Sequence, residues 1–294
     1  MGLLICGARA EAQTLDDGLT IRRREFRLGM EYGHDAWDKY WEGALKRENG
    51  NIGTLTTQSV TATAIYGVTD RLTLLAALPY VRTEASQGVL HGMKGRQDLT
   101  MAAKFRLVST TLSTRARLSA LVVAGAGMPT SDYTPDFLPL SIGSASRRAL
   151  TRVALHLQDR SGFFVDGSVG RTWRSKVTLD RPAYFTNGQL FLSNEVEMPG
   201  VSDYMLSAGL QRGRLCIPIG ISEQRTLGGG DIRRQDMPFV SNRMNFTRMH
   251  ARVMYTLPTA VPLIVHVGAI ETLRGRNVGQ STTIVGGMTY VVGR

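Results

Sequence analysis

Cysteine is nearly absent, with two in 294 residues. Cys6 lies in the extreme N-terminus, so Cys216 stands alone in the body and no internal disulfide is available there. No run approaches the roughly 18 continuous apolar residues of a membrane-spanning helix. That excludes helical spans but not a membrane barrel, whose lumen-facing residues dilute its average hydropathy. The five histidines, His34, His91, His156, His250 and His266, are scattered, with no pair at metal-ligand spacing. Acidic residues are short too, 24 against 35 Lys and Arg, for a formal charge of +11. The excess base does not cluster beside stacking aromatics, so nucleic acid is not an expected partner.

What the chain has is two-residue periodicity. In DLTMAAKFRL (98–107), Leu99, Met101, Ala103, Phe105 and Leu107 form an apolar row, while Thr100, Ala102, Lys104 and Arg106 form the other. The same alternation marks thirteen candidate strands, at 24–33, 54–66, 71–81, 98–108, 114–128, 148–158, 162–173, 188–197, 203–211, 215–225, 244–256, 262–273 and 281–292. The helical period never persists beyond a turn or two, so the fold class is all-β. Connections at 68–71, 109–113, 158–162 and 257–262 are short, whereas 34–53, 82–97, 129–147, 174–187 and 226–243 are long and polar. Short turns at one end and long loops at the other are the organisation of an antiparallel outer-membrane β-barrel. Such a barrel has an even strand number, so about 12 strands are expected, with 10 to 14 as the range. The weakest region is 188–225, where Pro199 and Pro218 interrupt the pattern and Arg212-Gly213-Arg214 makes an oddly short outer hairpin.

Mid-strand charge points the same way. A Lys or Arg facing lipid near the bilayer centre costs about 2–4 kcal/mol. Lys104, Arg106, Arg115, Arg117, Arg152, His156, Asp166, Arg248, His250 and Arg252 are therefore candidates for the lumen, where they would set the field for solutes or brace the wall through charged pairs. In the first long loop, Trp37, Tyr40 and Trp41 form either an apolar docking rim or an interfacial belt, the belt being favoured. Loop 226–243, with Arg233 and Arg234, is a constriction or a surface cap. The alternative to a barrel is a large soluble β-sandwich that turns its charged faces to water.

The opening MGLLICGARAEAQ runs from an apolar stretch into Ala-Arg-Ala, as the tail of a secretory signal does, so the expectation is a truncated leader over 1–12 and one barrel domain over 13–294, the alternative being an ordinary frayed N-terminus. Catalytic chemistry is not expected. Gly228-Gly229-Gly230-Asp231 lacks the Lys-Ser/Thr and helix of a phosphate loop. A barrel hydrolase would need a His–Ser pair on adjacent strands, and His156 with Ser168 is the one candidate. No catalytic group, metal or cofactor is assigned.

At YGVTDRLTLLAALPYV (66–81) and GRQDLTMAAKFRL (95–107) the chain resembles the outer-membrane barrel family named as transporters of the meta-pathway of phenol degradation. GAGMPTSDY (125–133), SGFFVDGSVG (161–170), TLGGGDIRRQDMPFVSNRMNFTR (226–248) and GRNVGQSTT (275–283) extend the resemblance over most of 54–294. Two departures stand out. Ser131 replaces the usual Gly, and Tyr290-Val291-Val292-Gly293-Arg294 lacks the terminal aromatic of barrel-assembly signals. The resemblance implies a 12-stranded barrel in the outer membrane of a Gram-negative bacterium, passing small hydrophobic or aromatic compounds passively. Its expected partners are outer-membrane lipid and lipopolysaccharide, the barrel-assembly machinery and a small hydrophobic or anionic solute. A structural or adhesion barrel without an open pore is the alternative.

Overall fold

A computed structural model describes residues 14–112, 116–233, 238–260 and 262–292. Twelve long strands dominate it: β1 (Phe26–Trp37), β2 (Leu55–Gly67), β3 (Leu72–Ala85), β4 (Asp98–Thr111), β5 (Ala116–Pro129), β6 (Arg148–Asp159), β7 (Phe163–Arg174), β8 (Val201–Arg212), β9 (Leu215–Thr226), β10 (Asn245–Thr256), β11 (Leu263–Arg276) and β12 (Thr282–Val292). Each pairs antiparallel with its neighbours in chain order. The first and last strands join from Phe26↔Val292 to Ala36↔Thr282, which closes the barrel and leaves no sheet edge.

The thirteenth candidate strand, 188–197, is not in the wall. Gln189–Phe191 pairs with Tyr184–Thr186, and Glu195–Val196 pairs with Val177–Thr178, so both small ladders sit in the loop between β7 and β8. Asn187 and Gly188 have φ of 51° and 79°, the left-handed pair that a tight two-residue hairpin requires. Val196 of that stretch enters a small core in the loops, where Val177, Leu179, Val196 and Met198 meet Phe239 and Val240, while Leu190, Phe191 and Leu192 stay exposed. With that segment removed the strand number is even, and the turn at Gly213 moves from the long-loop end to the short-turn end. Pro218 does not end β9. The ladder to β10 passes from Cys216↔Met254 to Ile219↔Ala251, skipping the residue that has no N–H to give.

The faces follow the alternation. Met101 and Phe105 on β4 point outward, whereas Lys104 is wholly buried inside. A register shift between Arg106 and Val108 lets both Leu107 and Val108 face out, a bulge that absorbs one residue without flipping the rest of the strand. Aromatics ring the outside at two levels. Tyr66, Phe105, Phe163, Tyr255 and Tyr290 lie toward the short-turn end, and Tyr32, Tyr80, Trp173 and Tyr204 lie nearer the loops. Two such girdles around an apolar band mark a wall made for a bilayer. No described helix is long and apolar enough to cross a membrane.

Residues 14–25 are not part of the wall. Arg24, with φ of 63°, reverses the chain at the short-turn rim, where its N–H donates to the Gly67 carbonyl at 2.7 Å. From there the preceding residues run up into the lumen. Ile21 packs on Ile65 and Leu75, and its N–H donates to Thr73 Oγ1 at 3.2 Å.

Candidate functional site in the barrel lumen

Inward positions of consecutive strands bring distant charges together, and the N-terminal segment meets them. The Lys104 ammonium donates to the Thr14 carbonyl at 2.8 Å and to Asp17 Oδ1 at 2.7 Å. Arg152 on β6 pairs with Asp16 of the segment and Asp203 of β8, and donates to Ser168 Oγ at 2.9 Å. His156 Nδ1 lies 2.8 Å from Asp166 Oδ1, which also accepts the Gly18 N–H at 3.3 Å. Lys104, Arg152, His156 and Asp166 therefore lie at the contact between the wall and the inserted segment.

Across the lumen, Arg252 and His266 each lie 2.8 Å from Glu31 Oε2. Arg248 differs. It makes no ion pair among the described residues; its Nε donates to Thr272 Oγ1 at 3.2 Å and its guanidinium stacks 4.0 Å from the Phe246 ring centroid. A cavity of about 310 Å³ lies beside the segment. Its lining mixes apolar Phe164, Met205, Met254, Ile270 and Val285 with Arg248, His250 and Asp16, and Ile270 stands in register with His250. A second cavity of about 270 Å³ lies on the other flank, against Leu15, Ile65, Leu75 and Glu31. Thr14 and Arg252 line both, so the segment divides the bore.

The remaining candidates are placed differently. Arg106 reaches down to the Asp70 carbonyl at 2.6 Å, in the short turn between β2 and β3. Arg117 is exposed near the short-turn end of β5. Arg115 and Arg234 lie outside the described residues. Trp37, Tyr40 and Trp41 do not form the lipid-facing belt. Trp41 is buried with the Lys46 ammonium 5.7 Å from its ring, and its N–H donates to the Val278 carbonyl at 2.9 Å. Tyr40 bridges to Gly279, so all three pack at the loop end against the β11–β12 connection. The glycines at 275 and 279 leave room for these indoles, which is why the rings turn in rather than out. Arg233 is exposed in a loop whose Ile232, Phe239 and Val240 are buried. The described parts of that loop thus pack at the long-loop end of the barrel. Asp231 fastens the loop, accepting from Arg276 at 2.8 and 2.5 Å and from Asn277 at 2.8 Å.

The His156–Ser168 pair that hydrolysis would need does not form, because Asp166 takes the imidazole and Arg152 takes the hydroxyl. No cluster of metal-ligating side chains occurs among the described residues. Sequence reasoning missed the acids, Asp16, Asp17, Glu31 and Asp203. Glu31 and Asp203 alternate with outward Met30, Tyr32 and Tyr204, a signal as good as that which marked the cations. Asp16-Asp17 precedes the first strand and carries no periodicity of its own.

A closed 12-stranded meander with a polar, charged interior and an apolar exterior is a transmembrane β-barrel of the outer-membrane kind. No protein-family model and no curated protein matches the sequence. Among solved structures the chain is similar to the COG4313 outer membrane channel from Pseudomonas putida F1, with a TM-score of 0.73 at 17% identity over 96% of this chain and 100% of that one. The translocator domain of the autotransporter NalP from Neisseria meningitidis gives 0.46 at 11% identity, over 93% of this chain and 90% of that one. The NanC porin also gives 0.46, at 7% identity over 90% and 98%.

Proposed function

We propose that this protein is an outer-membrane channel for passive uptake of small hydrophobic or aromatic compounds in a Gram-negative bacterium. The observation that carries the reading is the 310 Å³ luminal cavity, which sets apolar Phe164, Met205, Met254 and Ile270 beside His250 and Arg248, a cation that makes no ion pair among the described residues. Such a space suits a compact apolar body with one polar or anionic end, because the ring loses water against Phe164, Met205 and Met254 while the polar end keeps a donor. The motif resemblance to the phenol meta-pathway transporters supports the same solute class. Outer-membrane lipid, lipopolysaccharide and the barrel-assembly machinery are the partners this reading requires.

A second reading, a structural barrel without an open pore, is favoured by the ion pairs that hold the N-terminal segment across the bore. One experiment separates the two. Uptake of radiolabelled phenol is measured in a Gram-negative host expressing the protein or its Met254→Arg variant, which places a charge among the apolar lining residues. Faster uptake with the native chain and none with M254R supports the channel. Uptake no faster than in the empty host leaves the structural barrel.

A further inference from the structure

The lipid-facing side of β7, β8 and β9 combines a polar, cationic row with a hollow in the apolar wall. Cross-strand register places Thr151, Arg171, Ser202 and Arg225 in one outward row, close to the loop end of their strands. The Arg171 guanidinium donates to Ser202 Oγ at 3.4 Å and lies 5.9 Å from the Trp173 ring centroid, while Arg225 lies 5.8 Å from that of Tyr204. Two guanidiniums are thus held over aromatic faces on either side of one hydroxyl. Glu223 accepts from Arg225 at 2.7 Å and offsets part of the charge. Elsewhere near that level β1, β2, β11 and β12 turn His34, Gln58, Glu271 and Thr282 outward, and β3 turns out Arg82, which pairs with Glu84 at 3.2 Å.

Directly beneath this row the wall is concave. A groove of about 440 Å³ is lined by Val153, Leu155, Gly167, Val169, Leu206 and Ile221. Gly167 stands in register between Leu155 and Leu206, and a Cβ built on it would meet nothing closer than the Met205 carbonyl at 4.0 Å. The missing side chain makes the hollow. Cations at headgroup depth above an apolar trough match an amphiphile with an anionic head and an alkyl chain. Guanidinium recognises phosphate through paired, charge-assisted hydrogen bonds.

We propose that this face binds one phosphorylated glycolipid of the outer leaflet, its phosphate between Arg171 and Arg225 and one acyl chain in the groove at Gly167. The site is on the outside of the barrel and is independent of what crosses the lumen. Binding of lipid A to the detergent-purified full-length chain, followed by native mass spectrometry, tests it. The native protein is expected to retain one lipid A, and the R171Q/R225Q double variant to bind it about ten-fold more weakly through loss of charge-assisted hydrogen bonds. Gly167→Leu, which fills the trough and leaves both arginines, is expected to weaken binding as well. Heat-modifiable migration of each variant shows that the barrel has folded. Native-like binding by the double variant overturns the site, and equal binding of phosphatidylglycerol or dephosphorylated lipid A overturns the ligand.

Discussion

Lys104 Nζ and Asp17 Oδ1 lie 2.7 Å apart, joining the middle of a wall strand to a segment 87 residues earlier in the chain. Lys104 has no exposed surface, so its charge is tolerated only because Asp17 and the Thr14 carbonyl face it. The pair is therefore the main electrostatic anchor of the inserted segment, with Asp16–Arg152 beside it.

Lys104→Met removes one partner and leaves Asp17 buried without its counter-ion. Breaking a buried pair this way costs about 3–5 kcal/mol. The loss falls on docking of the segment and not on the wall, whose ladders are untouched. Faster hydrogen exchange over 14–21 and a larger single-channel conductance are expected, and K104M/D17L should recover much of the native protection. Native exchange and conductance in K104M would show that the segment is held by other contacts.

The orientation of every strand follows from the alternation, and one outward substitution tests it. Met101 faces the bilayer on β4, one row from the inward Ala102. Met101→Arg should cost about 2–4 kcal/mol of folding free energy, the penalty for a midplane guanidinium on a barrel's lipid face. Reversible folding into liposomes measures it, with Met101→Leu as the neutral control. A cost near zero would mean that this face meets water.

The wall was readable because a strand's environment repeats every second residue, and Leu155, Leu157, Val165 and Val169 are as informative alone as in the barrel. The contents of the bore were not, for a different reason. Asp16-Asp17 takes its position from Lys104 and Arg152, more than 80 residues away, and nothing local in the segment encodes that. At 188–197 a run of apolar residues served a loop hairpin whose Leu190, Phe191 and Leu192 stay exposed, so β-forming residues alone did not mark a strand of the wall. The indoles of Trp37 and Trp41 went inward because Gly275 at the end of β11 and Gly279 in the loop after it, over 230 residues later, left space.

Asp231 sets the acid limit of its loop. The hydrogen bond from Arg276, helped by Asn277, lowers its carboxyl from 3.8 to about 2. A depressed folded value means that its contribution is complete above the ordinary carboxylate range and fades as pH falls through that range toward 2. Loop 227–233 should keep its hydrogen-exchange protection, corrected for intrinsic rate, from pH 7 to pH 5, and lose it between pH 4 and pH 2. Asp231→Asn should show the loss already at neutral pH. A transition between pH 7 and 5 would sink this assignment, since no group at this latch titrates there.

Gly18 offers a release of the inserted segment that leaves every charge in place. A Cβ at this position would lie 2.6 Å from His156 Cβ and 2.8 Å from the His156 nitrogen. Those atoms belong to β6, hydrogen-bonded on both sides within a closed sheet, so the wall cannot yield and the segment must lift. Gly18→Ala should therefore lengthen the Gly18 N–H to Asp166 contact, raise exchange over 14–21 and increase conductance as Lys104→Met does. Heat-modifiable migration and barrel melting should stay near native, because no barrel ladder is broken. If G18A opens the bore and phenol uptake rises with it, the segment restrains a channel. If conductance rises and uptake does not, the segment fills a barrel that was never a route for such solutes.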